Sequence, residues 1–305
     1  VSEAAVVALA LAAAWLAGAH PTLMPVWGPW DFSWPAFLGV GLVLVWFLRG
    51  LRTVRLPRAR VWCFLVGLAA VYAMLLTKFD YLGQHMFFLN RIQHAVLHHF
   101  APFLIALSWP GEVLAAGTPS VVRRWCERLG RPLRVLQQPV VATVLFEGLL
   151  ALWLVPAVMF RAMFDWRLYW AMNASMVLDG LLFWFLVLDP RPCPEAPVGY
   201  FARATMAFVI IFPQIVLGTV IEMAQHDLYP SFALCGRVFP GIGALADQEI
   251  GSLILWVPAG MMSALATVVI MGRLFRHDAA TWGGVGRLSR DTDVVVLPQL
   301  KERPG

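Results

Sequence analysis

Long apolar runs alternate with short polar connections along the whole chain. Runs of membrane-spanning length fall near 35–49, 61–78, 82–108, 139–160, 169–188, 201–224 and 252–275, and a further run occupies 4–19. A bilayer core of about 30 Å takes roughly 20 apolar residues in helical form. The pattern predicts an all-α integral membrane protein, a seven-span core bundle plus an N-terminal hydrophobic helix or leader. It divides the chain into 1–20 (that helix or leader), 21–276 (a polytopic membrane domain) and 277–305 (a cytoplasmic tail). There is no internal repeat and no soluble domain larger than a loop or tail.

The third run changes the picture. A helix predicted over Tyr81–Pro110 holds four of the seven histidines, His85, His94, His98 and His99. Ionisable groups at membrane depth are costly and point first to function. Met86, Asn90, His94 and His98 recur every four residues, which places them in one stripe on one helical face. His85 lies about half a turn away from it. One face thus offers a thioether, an amide and two imidazoles. Pro102, Pro213 and Pro258 are expected to kink or distort the third, sixth and seventh spans.

Composition agrees with the membrane class. The chain is 60% hydrophobic and 13% charged, against roughly 25% charged in soluble domains. Fourteen Trp suit interfacial belts. The net charge of +5 is best read loop by loop. No Lys/Arg-rich segment is interleaved with exposed aromatics, so no nucleic-acid partner is expected. The lipid bilayer is the expected partner of the apolar surface. Arg49, Arg52, Arg55, Arg58 and Arg60 lie between the first two core spans, and Arg123, Arg124, Arg128, Arg131 and Arg134 between the third and fourth. The tail carries Arg273, Arg276, Arg287, Arg290, Lys301 and Arg303. The alternate loops hold only Lys78, Arg161, Arg167 and Arg237. The positive-inside rule makes the first set cytoplasmic, with the segment before Trp34 outside and the C-terminus inside.

That orientation gathers polar residues towards the outer side: His85, Met86 and Asn90, then Asn173, then Glu222, Met223, His226 and Asp227, then Asp247, Gln248 and Glu249. The run at 4–19 ends in Ala17-Gly18-Ala19, an A-x-A-like site, but its first residues hold Glu3 and no Lys or Arg. A retained helix and a cleavable leader both remain open. Cys63, Cys126, Cys193 and Cys235 form no CxxC pair, so a thiol-based metal relay has no support.

Imidazole and thioether together favour copper, Cu(I) above all for the sulfur. His94 and His98 at i,i+4 could grip one metal, with His85, Met86, His226 and Met223 completing a site at the outer mouth. Asn90, Asn173, Glu222, Asp247 and Gln248 are further polar site residues. The alternative for each imidazole is a hydrogen bond to a neighbouring helix. Glu222 is either proton-linked or an interfacial carboxylate, Asp247 either a site residue or the cap of its own helix. His277 is expected to be solvated. HAVLH lacks the glutamate of a zincin helix, and no enzyme is expected.

The segments IQHAVLHHFAPFLIALSWP (92–110), LWLVP (152–156), GLLFWFLVLDP (180–190) and ALADQEIGSLILWVPAG (244–260) resemble the multi-span CtaG-type cytochrome c oxidase assembly factors, in order and spacing from about Trp34 to Arg276. The resemblance implies a bacterial inner-membrane protein that helps to build a haem–copper oxidase, with the oxidase subunits as partners and copper handled on the extracytoplasmic side. It also implies histidines where this chain has Asn90, Leu154 and Asn173, whereas His94 and the Asp247-Gln248 pair are kept. His85, His98 and His226 are then the substitute donors, or metal binding is lost. A membrane b-type haem or quinone redox protein using His94 and His226, and a small-solute or proton transporter built on Glu222, are the other readings.

Overall fold

The computed structural model describes residues 2–30, 32–133 and 135–292, of which 131–133 and 280–292 are described by their backbone. Lys301 and Arg303 of the expected tail lie outside the described residues. Among the described residues the secondary structure is helical, without strands. In order the helices are α1 (Glu3–Ala19), α2 (Trp34–Gly50), α3 (Arg58–Leu76), α4 (Lys78–Gly83) and α5 (Phe87–Ala95). A π turn (Val96–Phe100) joins α5 to α6 (Ala101–Ser108), followed by α7 (Gly111–Gly117), α8 (Ser120–Leu133), α9 (Pro139–Leu154) and α10 (Pro156–Phe164). The rest are α11 (Trp166–Val187), α12 (Tyr200–Val209), α13 (Ile211–Glu222), α14 (Ser231–Cys235) and α15 (Ala244–Thr292).

Among the described residues four helices are long and apolar enough to cross a membrane: α3, α11, α12 with α13, and Ala244–Ala279 of α15. The count rises to six if the bent pairs Phe87–Ser108 with α7 and α9 with α10 each make one span. The predicted first core span is α2, a shorter apolar helix of 17 residues, and α1 is another of 17. The chain is a membrane protein built as a helical bundle. Its exterior carries large apolar side chains, among them Phe201, Val140, Val268 and Trp166, as a surface solvated by lipid requires.

The third span departs from the expected single helix. α4 ends at Gly83, and α5 starts only at Phe87, so His85 and Met86 precede the helix instead of riding on it. The distortion expected at Pro102 is present and has a local cause. Pro102 has no N–H, so the His98 carbonyl four residues earlier loses its helical donor. The chain widens there into the π turn, in which the Ala101 N–H reaches back to the Val96 carbonyl. The Trp184 indole N–H then donates to the His98 carbonyl at 3.2 Å. Span six is likewise interrupted, between Val209 and Ile211, four residues before Pro213. α15 instead runs through Pro258 without a break.

Small residues let the helices close up. A Cβ on Gly180 of α11 would sit 2.4 Å from the His98 carbonyl oxygen. Gly50 and Gly117 bring α2 and α7 into backbone contact, since a Cβ on either would lie 1.8 Å from the Val113 or the Trp46 carbonyl oxygen. Close approach through small residues is how lipid-embedded helices gain packing energy.

Contacts sort the connections into two ends. Arg49 bonds Glu3 and the Gly117 carbonyl, Arg191 lies over Trp109, and Arg273 bonds the Leu188 carbonyl. At the other end Tyr72 bonds the Trp27 carbonyl, Tyr169 bonds Asp80, and Arg237 bonds Asp247. The loops rich in arginine therefore share the first end. There α8 exposes Val121, Trp125 and Leu129 along one face.

Gly180→Ala should lower stability in detergent by about 1–3 kcal/mol, the usual cost of overpacking. Gly272→Ala, where a Cβ meets nothing within 4 Å, should be neutral or slightly stabilising. Thermal unfolding of the two purified variants checks the pair.

Candidate functional site

The second end is held by two neighbouring side chains at the start of α15. Asp247, 1% exposed, accepts from the Phe87 and Phe88 N–H groups at 3.0 and 2.8 Å and pairs with Arg237 at 2.7 Å. It thereby caps α5, a helix 160 residues earlier, rather than its own. The first N–H groups of any helix lack internal partners, and a carboxylate suits their positive end. Gln248 accepts from the Leu228 N–H at 2.9 Å and donates to the Ile221 carbonyl at 3.0 Å, which fastens the turn after α13. Gly251, one turn further, leaves room for the Phe87 ring, since a Cβ there would be 2.3 Å from it. The Phe87 ring stacks on Tyr229 at 4.2 Å, and the Tyr229 hydroxyl donates to the Leu154 carbonyl at 2.9 Å. Burial pushes the Tyr229 phenol up to about 12, against a smaller opposing pull from Arg91, so it stays a donor.

Below this latch lies a polar core between α5 and α11. Arg91 is 1% exposed. One of its terminal nitrogens, Nη2, donates to Asn90 Oδ1 and, at 3.1 Å, to His94 Nδ1. A guanidinium has no acceptor, so His94 Nδ1 is unprotonated and the neutral ring carries its proton on Nε2. That Nε2–H donates to Asn173 Oδ1 at 3.3 Å. Both nitrogens of His94 are thus engaged. Beside it Gln93 donates to the Met74 carbonyl at 2.8 Å and to Asp80 at 2.5 Å, and the Tyr169 hydroxyl donates to Asp80 at 2.9 Å. Deeper, His98 Nε2 pairs with Asp179 at 3.1 Å, and its ring stacks on Phe146 at 3.9 Å.

The predicted stripe is therefore divided. His94 and His98 each turn to α11, at Asn173 and Asp179, and share no common ligand position. Asn90, His94 and Asn173 do come together, Arg91 joining Asn90 to His94 and His94 bonding Asn173. Met86 is fully buried, with its sulfur 4.0 Å from the Arg237 guanidinium. His85 bonds the Tyr81 carbonyl at 2.7 Å. Glu222, Met223 and His226 are exposed, Met223 by 70%. Among the described residues no group of three or more His, Cys, Asp or Glu side chains is placed to hold a metal. His94 has no free lone pair, and the proposed donors at the outer mouth do not converge with it. These residues do not fit a resident copper ion.

Sequence reasoning passed over Arg91, Asp179, Gln93 and the Glu147–Gln214 pair, whose amide donates to the carboxyl group at 2.7 Å. Their signal was present: each is a polar or charged residue inside an apolar run, and such residues need partners across the bundle.

A family model described as "Cytochrome c oxidase caa3 assembly factor (Caa3_CtaG)" matches residues 42–277. An uncharacterized protein of Mycobacterium leprae is 26% identical over 261 residues, 79% of this chain and 38% of that protein. Uncharacterized proteins of Mycobacterium bovis and Mycobacterium tuberculosis are each 25% identical over 284 residues, 85% of this chain and 41% of theirs. The chain spans about two fifths of the length of these curated relatives. No solved structure matches it significantly.

Asp247→Ala orphans two N–H groups and the Arg237 charge. It should destabilise the folded protein by about 3–5 kcal/mol, the cost of breaking a buried pair. His226→Ala should leave stability unchanged. Unfolding of both variants in the same detergent compares them.

Proposed function

The chain belongs to the cytochrome c oxidase caa3 assembly factor family, and we propose that it assists maturation of the copper centre of a haem–copper oxidase. In this reading it acts on the extracytoplasmic side of a bacterial cytoplasmic membrane and binds oxidase subunits, without turnover of its own. The observation that carries the reading is the family match over residues 42–277. That range contains the polar core and the Asp247-Gln248 latch.

Copper is then cargo of the assembly process rather than a resident cofactor of His94 and His98. The part left to the described residues is positional. The latch binds α5 to α15 and so presents the outer loops 223–243 in a set arrangement to a partner. The mycobacterial relatives support a bacterial membrane, and the arginines at one end support a seven-span arrangement with that end in the cytoplasm. The haem reading gains nothing from the geometry, because His226 is exposed while His94 is buried and fully bonded.

A strain lacking the gene should lose most of its oxidase activity and the matching haem absorption, and added copper should restore part of both. Unchanged oxidase in that strain, with no second assembly factor present, contradicts the reading. In reporter fusions the 109–138 loop should behave as cytoplasmic and the 225–243 loop as external. The reverse pattern would move the latch to the wrong side for copper-centre work.

A further inference from the structure

The Arg91 guanidinium is the one strong charge in the polar core whose compensation is missing from the contacts already described. It is 1% exposed, lies over the Phe87 ring at 5.1 Å, and among the described residues its hydrogen-bond acceptors, Asn90 and His94, are both neutral. Its Nε and Nη1 atoms are buried without a partner. The buried acids of the bundle bond elsewhere: Asp247 to Arg237, Asp179 to His98, Asp80 to Gln93 and Tyr169, and Glu147, through one of its two oxygens, to Gln214. Among the described residues Arg91 forms no salt bridge. An unpaired charge taken out of water is expensive unless something of opposite sign accompanies it.

Space for such a companion lies against the arginine. A cavity of about 10 Å³ is lined by Arg91, His94, Ala95, His99, Leu150 and Leu255, between α5, the π turn, α9 and α15. His99 Nδ1, also buried and without a partner, belongs to a ring on that wall. A cavity of this size holds about one water-sized particle. Sulfate, phosphate and carboxylates are several times too large for it. A monatomic anion is somewhat larger than water but far smaller than those oxyanions, supplies the missing charge, and accepts from several N–H donors at once.

We propose that this cavity is a binding site for a single chloride ion, held by Arg91 Nε and Nη1 with the His99 imidazole beside it. Leu150 and Leu255 close the apolar side and exclude bulk water. The ion completes an internal pair at membrane depth, and so joins α5 to α9 and α15 below the latch. The inference is independent of the assembly role, because it rests only on burial, unmet donors and cavity size.

The test uses the purified full chain in detergent, exchanged into gluconate buffer. Chloride should raise Tm saturably, by several degrees, whereas sulfate at equal ionic strength should not. Arg91→Met removes the charge at similar volume and should abolish the chloride response. Crystals of the wild type grown in bromide should show one anomalous peak beside Arg91, a measurement that stands even if the variant fails to fold. Equal responses to chloride and sulfate, an unchanged response in Arg91→Met, or no bromide peak beside Arg91 would each overturn the proposal, the last pointing to water alone in the cavity.

Discussion

A helix that begins inside a membrane protein needs donors and acceptors supplied by protein, because lipid offers none. Here one carboxylate accepts from two of the first N–H groups of α5. Asp247 caps the start of α5 from α15, and its remaining charge is met by Arg237. The cap sets where α5 starts and keeps Met86 off the helix. Gly251 and the Phe87–Tyr229 stack follow from the close approach it enforces. The Gln248 side chain extends the same joint to the turn after α13.

From that starting point α5 and the π turn deliver their polar residues to α11. The π turn exists because Pro102 deprives the His98 carbonyl of a donor, which Trp184 replaces. Gly180 permits the close approach that this bond needs. What results is a core in which both nitrogens of His94 are spent on protein, between Arg91 and Asn173, while His98 gives Nε2 to Asp179. Such an arrangement orders the bundle and its outer loops.

Much of this was legible in the sequence. The apolar runs mark the helices, the arginines mark one end, and the 244–260 segment marks the latch and the family. The histidine stripe was legible as polar and inward-facing, but its chemistry was not. Spacing of four places side chains on one face only while the helix stays regular, and a proline eight residues after His94 was enough to widen the turn between them. Met86 fell out of the stripe because a cap from 160 residues away decides where α5 starts, and no local pattern encodes that. Arg91 was hidden by its neighbours: a lone charge beside a histidine cluster draws less notice than the cluster, yet it determines the tautomer of His94.

The central claim is that His94 is held by protein rather than by metal. Nitrogen-15 NMR of histidine-labelled protein, assigned by comparison with a His94→Gln variant, reads it directly. The account predicts a neutral His94 ring protonated at Nε2, with Nδ1 bare and hydrogen-bonded, and no change on adding Cu(I). A proton on Nδ1, or a shift of either His94 nitrogen with one equivalent of Cu(I), would contradict it.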